Sequence, residues 1–431
     1  MISRFRRLSR KIGLHPAVSA LALTLIFLAA NAQPSRTAEP IQGTQILFLG
    51  TAGGPPLRRE RSEPSSLLIV DGRLYLIDCG IGTVRRMVKA GIRSEDIGTI
   101  FITHHHPDHE LGLVDLMGND FFKLEIANSS RTINIYGPPQ TKDLVATAFH
   151  YISIPFGVFA EEPDGVPAAF HTGSRGSDLK NPFVAHEIEG NGLFYHDDKI
   201  TGFAAENTHY ALMPANSRAR MTSFSYRFET PHGVIVFTGD TGPSEAVTRL
   251  AEGADVLVAQ ASVRDSSERA ALVKAMAEQN HWPPARARTF MAHLSFELMD
   301  AQQVGEMATK AHVKTVVLNH YDPEDPAAYV ATVKKHFSGE VFAGSDLQKY
   351  CLRPDTGKAS ARLLPAPCPR PQHLESRAGY PFLNAPLAFR VGKHSLPHAS
   401  NTHHNSPTLR PSSSPLPCVP APSPDSPAHP G

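Results

Sequence analysis

A dense group of histidines constrains this sequence more than any other feature. Four histidines and one aspartate fall within the seven-residue stretch THHHPDH, directly after a predicted β-strand. Alternate residues of an extended segment project to the same side, so His104 and His106 can share one metal ion. A tight turn at Pro107 can then direct Asp108 and His109 towards a second ion. The stretch therefore predicts a metal site with four local ligands.

Three further side chains, distant in the sequence, can add to this set. His209 lies in the stretch ENTHY, Asp240 follows an apolar strand and a glycine, and His320 follows the apolar stretch VVLN. Catalytic zinc sites use nitrogen and oxygen donors and leave one position for water. Two ions about 4 Å apart hold a hydroxide between them, and such a pair needs roughly seven protein ligands with one shared carboxylate. We therefore predict two Zn²⁺ ions per chain.

The apolar pattern predicts alternating strands and helices. Short apolar runs such as 46–49, 256–259 and 314–318 are typical of buried strands, whereas 83–90 and 299–311 have the pattern of helices. This alternation favours a layered α/β domain. The candidate ligand groups tend to follow predicted strands, which is where open sheets collect ligands from separate loops.

The complete ligand pattern resembles that of a known superfamily. It consists of His104-x-His106-x-Asp108-His109, then His209, Gly239-Asp240 and His320, with the accessory segments Gly50–Gly54, Leu76–Gly80, Gln260–Ser262 and His293–Ser295. Over residues 45–346 this pattern resembles the metallo-β-lactamase superfamily, and within it the ribonuclease Z branch, which also contains arylsulfatase-like and phosphodiesterase-like members. The resemblance implies an α/β fold, the αββα sandwich, with metals at one edge of two facing sheets.

The resemblance also implies a role for each site residue. The first ion would be held by His104, His106, His209 and Asp240. The second ion would be held by Asp108, His109, Asp240 and His320. Asp108 would also accept a proton from the attacking water, and His293 would neutralise the leaving oxygen or hold a substrate oxyanion. Asp78 is expected to support the ligand loops through hydrogen bonds.

Three features depart from the ribonuclease Z pattern. Gln260 stands where the branch has a glutamate that pairs with the late histidine, so a neutral amide is expected to orient His293. His209 and Asp240 lie 31 residues apart, which leaves little room for the long tRNA-gripping arm found there in many ribonuclease Z proteins. Residues 33–351 carry 29 basic and 38 acidic side chains, a net charge of −9, which makes a nucleic-acid partner unlikely on electrostatic grounds.

Both ends of the chain differ from the predicted domain at 33–351. Residues 1–32 have five basic side chains, an apolar run and the small-x-small sequence Ala30-Asn31-Ala32, which predicts a signal peptide. An uncleaved membrane anchor is the alternative. After cleavage no membrane span would remain, and the protein would be periplasmic or secreted. Residues 352–431 hold 17 of the 37 prolines, which predicts a disordered tail.

Several aromatic residues lie in the long gap between His109 and His209. Phe121, Phe149 and Phe156 are predicted either to line a pocket for an aromatic substrate or to pack a local core.

Three functions remain open from the sequence. The first is an exported dinuclear zinc hydrolase that cleaves a sulfate or phosphate ester of a small molecule, with arylsulfatase-like or phosphodiesterase-like activity. The alternative is a ribonuclease Z-type endonuclease acting at tRNA 3′ ends. The second alternative is a non-catalytic metal-binding protein. Dimers are common in the branch, so a homodimer is a further prediction.

Overall fold

The structure is a computed structural model that describes residues 43–126, 129–161, 181–218, 220–322, 326–354 and 361–365. Fifteen strands lie within these ranges: β1 (Thr44–Gly50), β2 (Ser65–Val70), β3 (Arg73–Ile77), β4 (Thr99–Phe101), β5 (Ile133–Gly137), β6 (Phe183–Glu187), β7 (Gly192–His196), β8 (Thr201–Glu206), β9 (Phe224–Thr230), β10 (Gly233–Phe237), β11 (Val256–Gln260), β12 (Thr315–Asn319), β13 (Glu340–Ala343), β14 (Lys349–Pro354) and β15 (Ala361–Pro365).

Ten α-helices and one 3₁₀ turn (Ser94–Asp96) connect the strands in the same described ranges. The helices are α1 (Thr83–Lys89), α2 (Pro107–Glu110), α3 (Gly112–Ile126), α4 (Thr141–Glu161), α5 (Ala215–Arg218), α6 (Glu245–Leu250), α7 (Ser266–Gln279), α8 (Pro284–Phe296), α9 (Ala301–Lys310) and α10 (Ala327–His336). None of the described helices is long and apolar enough to cross a membrane.

Two β-sheets pack face to face, with helices on both outer surfaces. The first sheet has eight strands in the order β15-β14-β1-β2-β3-β4-β5-β6, and the second has seven in the order β13-β12-β11-β10-β9-β8-β7. Their shared core includes Phe101 from the first sheet and Phe228 from the second, whose ring centroids lie 5.0 Å apart. This arrangement confirms the predicted αββα sandwich.

The alternation of side chains along each strand divides the apolar residues between layers. In β1, Ile46 and Phe48 pack in the core between the sheets, whereas Leu47 and Leu49 pack against the outer helices. Successive side chains of a strand point to opposite faces, so a fully apolar strand serves both cores at once. This explains why β1 is buried along its whole length.

Strand direction determines where the ligand loops emerge. β10, β11 and β12 are parallel neighbours, and β8 runs in the same direction because it is antiparallel to β9, which is antiparallel to β10. The carboxyl ends of β8, β10 and β12 therefore lie at one edge of the second sheet. Loops at such an edge converge on a common site.

The predicted end of the domain at residue 351 is too early. Strand β14 continues to Pro354, and β15 pairs with it in antiparallel register. Leu352 and Leu363 are buried in the core between the sheets, and these few apolar contacts are hidden in a proline-rich composition. Residues 1–32 and 366–431 lie outside the described residues, so the signal peptide and the rest of the tail stay predictions.

The aromatic residues between His109 and His209 form a local core. Phe121 lies 5.5 Å from Phe149 and 4.9 Å from Phe156, measured between ring centroids, where α3 packs on α4. The interpretation as a pocket wall is therefore wrong for these three residues, and the core alternative is confirmed. Helix α4 spans Thr141–Glu161 and continues through Pro155.

Asp120 is a buried carboxyl group in α3. Among the described residues, no hydrogen-bond donor pairs with either of its oxygens. Burial raises the pKa of Asp120 to about 7, outweighing the opposing effects of Ser94 and Lys123. The folded chain thus holds a proton that the unfolded chain releases near pH 4, so stability falls as the pH rises between about 4 and 7.

We expect Asp120→Asn to remove this part of the pH dependence. The free energy of unfolding at pH 8 should rise relative to the wild type by up to about 4 kcal/mol, less the cost of burying the amide. Urea titrations of both proteins at pH 4 and pH 8 measure the effect. If the free energy of unfolding differed between the two proteins by the same amount at pH 4 and at pH 8, the raised pKa of Asp120 would be contradicted.

Candidate metal centre

The histidine stretch follows β4 and enters helix α2. Pro107 occupies the first position of α2, where its fixed backbone angle and missing N–H are tolerated. The turn carries Asp108 and His109 to the interior, where their exposures are 3% and 2%, next to the fully buried His104. His105 points elsewhere and bonds to Glu110 and to the backbone.

The other three ligands come from the edge of the second sheet. His209 follows β8, Asp240 follows β10 and His320 follows β12. Gly239, which precedes Asp240, has a φ of +56°, and a Cβ there would lie 3.0 Å from the Cβ of Thr103. Only glycine adopts this conformation without strain at such a close approach. The structure thus brings together all seven residues singled out from the sequence.

Ligand atoms of the seven residues form three overlapping groups. They are His104 with His106 and His209, His104 with His109 and Asp240, and Asp108 with His109 and His320. In each group the candidate ligand atoms lie within 4.8 Å of one another. This spacing is compatible with two adjacent cations.

Asp240 lies between the other candidate ligands of the first ion and those of the second, which we call the two halves of the cluster. Its Oδ1 is 3.6 Å from His109 Nε2, while its Oδ2 is 3.6 Å from His320 Nε2 and 3.9 Å from His209 Nε2. On the other side, His320 Nε2 lies 3.1 Å from Asp108 Oδ2. One carboxylate is therefore within reach of ligands from both halves.

Unpaired buried atoms test whether these residues fit metal ions. His104 Nε2, His109 Nε2 and Asp240 Oδ1 are buried without a hydrogen-bond partner among the described residues. Burying such atoms unpaired costs free energy, so their concentration in one cluster calls for a ligand. Nitrogen and carboxylate oxygen donors suit zinc and similar divalent ions. The residues fit the metal centre predicted from the sequence.

Supporting hydrogen bonds fix the orientation of the histidines. Asp78 accepts from the backbone N–H of Thr103 at 2.8 Å and from His109 Nδ1 at 2.9 Å. His209 Nδ1 donates to the carbonyl of Glu297 at 2.9 Å. His109 and His209 each use Nδ1 in these bonds, so the Nε2 atom of each faces the cluster, a common arrangement around metals. The predicted supporting role of Asp78 is thus matched by its contacts.

The protonation of the histidines differs across the cluster. Burial lowers the pKa of His104 well below its usual value and that of His209 to about 4, so both imidazoles are neutral at pH 7. Burial would also lower the pKa of His109, but attraction to Asp78 and Asp240 outweighs it and raises the value to about 10. Two ligands are thus ready to bind a cation, and His109 exchanges a proton for one.

The loop after β1 closes over one side of the cluster. A Cβ added to Gly54 would lie 2.0 Å from Asp108 Oδ2. The backbone N–H of Gly54 also reaches His320 Nε2 at 3.5 Å. Only a residue without a side chain allows the backbone this close to the carboxylate, which accounts for glycine at position 54.

His293 lies beside the cluster, but its partner is not the predicted one. Its Nδ1 is 2.7 Å from Glu297 Oε2, one turn later at the end of α8, and its ring centroid is 6.2 Å from that of His209. Gln260 instead pairs with the backbone of Met299, accepting from its N–H at 3.3 Å and donating to its carbonyl at 3.1 Å. The prediction that Gln260 orients His293 is therefore wrong, and the sequence interpretation missed Glu297.

We expect Gln260→Glu to destabilise the protein. The amide matches both backbone groups of Met299, whereas a carboxylate would face the Met299 carbonyl without a proton to donate. Leaving such buried groups unpaired lowers the free energy of unfolding by about 1–3 kcal/mol. Thermal unfolding at pH 8 measures this change. Gln260→Met also leaves the two backbone groups unpaired but adds no charge, so it separates the loss of pairing from the effect of the charge. A carboxylate variant as stable as the wild type would contradict this pairing.

Comparisons with known proteins agree with the geometry. A family model described as a beta-lactamase superfamily domain matches residues 73–321. Ribonuclease Z of Mycolicibacterium gilvum (strain PYR-GCK) is 26% identical over 317 residues, covering 72% of this chain and 96% of that protein. Ribonuclease Z of Thermoplasma acidophilum is 26% identical over 321 residues, covering 71% and 95%. Human tRNase Z, short form, superposes with a TM-score of 0.47 at 20% identity, covering 71% of this chain and 98% of that one.

Proposed function

Because the chain belongs to the beta-lactamase superfamily, as a metal-dependent hydrolase of its ribonuclease Z branch, we propose that it hydrolyses phosphodiester bonds and that RNA is its substrate class. The observation that carries this proposal is the cluster of seven ligands in a chain that covers nearly the whole length of its ribonuclease Z relatives. A non-catalytic metal-binding role would use the cluster but leaves the adjacent His293–Glu297 pair without a use.

We further propose that the divalent metal is zinc and that two ions bind. One ion would be held by His104, His106, His209 and Asp240, and the other by Asp108, His109, Asp240 and His320. When bound, two such ions supply a hydroxide nucleophile at neutral pH and stabilise negative charge on the attacked phosphate. The other tasks fall to the side chains of the chain itself.

Asp108 is the proposed acceptor of the proton of the attacking water. Its exposure is 3%, and His320 Nε2 lies 3.1 Å from its Oδ2. Burial would raise the pKa of Asp108, but the hydrogen bond and the positive charges of His320 and His109 hold it well below the usual range. Asp108 is therefore ionised at neutral pH, and the same contacts make it a weak base, so its proposed role rests on its position beside the metal ligands.

A small phosphodiester is the second candidate substrate. Between His209 and Asp240, the described residues contain the short helix α5 and the hairpin β9–β10, which belongs to the second sheet. Apart from Ala219, which lies outside the described residues, this segment contains no protruding arm to grip a tRNA. Together with the net charge of −9 over residues 33–351, this favours a substrate with few phosphate contacts.

The first function predicted from the sequence covered sulfate and phosphate esters, and its sulfate part is no longer preferred. The relatives named above are ribonuclease Z proteins, which favours a phosphodiester over a sulfate ester. Sulfate hydrolysis is kept only as an outcome of the assay.

An assay with four substrates tests the proposed function. The zinc-loaded protein would be incubated with bis(4-nitrophenyl) phosphate, 4-nitrophenyl sulfate, a lactone and a tRNA precursor, with chelated protein as the control. Turnover of the phosphodiester or the RNA, lost on chelation, is the expected result. Turnover of the RNA selects the first candidate, and turnover of the small phosphodiester alone selects the second. Turnover of only the sulfate or the lactone would contradict both.

Export is a separate proposal. The amino-terminal pattern of residues 1–32, basic side chains followed by an apolar run and a small-x-small sequence, is that of a signal peptide. Mass spectrometry of the periplasmic or secreted protein should find a chain that begins at Gln33. A full-length chain confined to the cytoplasm would contradict this.

The homodimer stays a prediction that light scattering can test.

A further inference from the structure

Glu297 connects three parts of the protein around the metal centre. Its Oε2 accepts a hydrogen bond from His293 Nδ1 at 2.7 Å, and its Oε1 accepts one from the backbone N–H of Leu212 at 2.8 Å. Its main-chain carbonyl accepts the bond from His209 Nδ1 at 2.9 Å. A single residue therefore holds the candidate acid, the loop after His209 and one metal ligand.

His293 and Glu297 differ in their exposure to solvent. The side chain of Glu297 is 10% exposed, whereas that of His293 is 34% exposed. The imidazole can therefore meet a substrate that approaches from solvent, while the carboxylate behind it is fixed by two hydrogen bonds. The ring centroid of His293 lies 6.2 Å from that of the candidate ligand His209, which places His293 on the metal side of α8.

The amide of Gln260 is not available to His293. Both of its polar atoms are used by the Met299 backbone, and its side chain is 2% exposed. Glu297 is four residues after His293, so the two side chains meet on one face at the end of α8. The carboxylate partner of His293 is therefore Glu297 at the end of α8, and not a residue at position 260 at the end of β11.

We propose that Glu297 is the positioning residue for His293, and that it sets the nitrogen which His293 offers to the substrate. The proposal rests on the proposed phosphodiester hydrolysis. Because Nδ1–H is donated to Glu297, Nε2 is the nitrogen left for the leaving group. In water the opposite tautomer of neutral imidazole is favoured, so the carboxylate reverses an intrinsic preference.

The proton transfer can be written as a balanced step. The oxygen of the attacking water forms a bond to phosphorus and passes one proton to Asp108. The bond from phosphorus to the leaving oxygen breaks, and its electron pair stays on that oxygen. The Nε2–H proton of the protonated His293 moves to the leaving oxygen, which departs as an alcohol. His293 is then neutral and still donates Nδ1–H to Glu297.

Two substrates with different leaving groups separate positioning from a structural role. In bis(4-nitrophenyl) phosphate the nitrophenolate leaves without a proton, whereas a short RNA releases a ribose alkoxide that requires one. We expect Glu297→Ala to lower kcat on the RNA by about 100-fold or more, the range of general acid catalysis. On the nitrophenyl ester the loss should stay below fivefold, with metal content unchanged. Gln260→Ala, the matched control, should leave the ratio of the two rates at its wild-type value.

A spectroscopic measurement does not depend on turnover. The imidazole signal that disappears in His293→Ala identifies His293 in ¹⁵N-histidine spectra. Its neutral form should carry the proton on Nδ1 in the wild type and on Nε2 in Glu297→Ala. An unchanged tautomer, or an equal loss of rate on both substrates with loss of metal, would overturn the positioning role. If the wild type cleaves neither substrate but has the Nδ1 tautomer, the proposed function fails while the contact stands.

Discussion

Replacing Asp240 with alanine is expected to release bound metal and to lower kcat/KM by at least about a thousandfold, because the proposed metal pair would supply the nucleophile. Asp240 is 4% exposed, and its two oxygens lie within 3.6–3.9 Å of His109, His209 and His320. No other carboxylate among the described residues is in reach of both halves of the cluster. Its loss leaves several imidazoles facing one another without a shared anion.

Metal content and steady-state rates of the purified Asp240→Ala protein check this expectation. His150→Ala is a suitable control, since His150 is an exposed histidine of α4 outside the cluster. Circular dichroism would establish that both variants are folded. An Asp240→Ala protein that keeps its metal and at least half of its activity would contradict the proposed shared ligand.

Replacing His293 with alanine is expected to separate catalysis from metal binding. His293 belongs to none of the three groups of candidate ligands, and its Nδ1 is used by Glu297. Metal content should therefore stay at the wild-type level, while kcat on an RNA substrate falls by about 10²–10⁴-fold, as is typical when a general acid is removed.

Parallel metal analysis and single-turnover rates measure the two effects in the same preparation. Ser295→Ala is the matched control, because it alters a neighbouring residue of α8 whose hydroxyl donates to the Met291 carbonyl. Loss of metal in His293→Ala would show that His293 is a ligand. Full activity on the RNA would show that the leaving oxygen needs no acid here.

The ligand cluster could be predicted because the types and spacing of its residues are visible in short stretches of the sequence. Alternation along an extended stretch places His104 and His106 together, and glycine next to Asp240 permits the tight turn that the site requires. His320 was found because it follows a stretch predicted to be a strand, and His209 because it completes the pattern that resembles the superfamily. The structure brings these side chains together, although no single one of them is specific for a metal.

The partner of His293 could not be found by reading the sequence as a copy of the ribonuclease Z pattern. That interpretation looked for a carboxylate at Gln260, where two backbone groups of Met299 instead select an amide. The spacing of four residues between His293 and Glu297 is the available signal, since residues so spaced meet on a helix. Whether α8 is a helix and buries Glu297 depends on tertiary packing, which the local sequence does not contain.

Two other features of the fold also depend on packing that the sequence pattern does not record. Phe121 and Phe156 belong to helices α3 and α4, and their contact at 4.9 Å depends on how these helices cross. Composition could not separate this local core from a pocket wall. Leu352 and Leu363 extend the first sheet into a proline-rich stretch, where pairing with β1 and β14 outweighs an unfavourable composition.

The central claim is that the seven side chains bind a pair of divalent cations. Elemental analysis of the purified, folded protein tests it most directly, with protein concentration determined by amino-acid analysis. We expect close to two equivalents of zinc per chain, both removed by a chelator and restored by added zinc together with activity. Folded protein that contains no divalent metal and takes up none on dialysis against zinc would contradict the account.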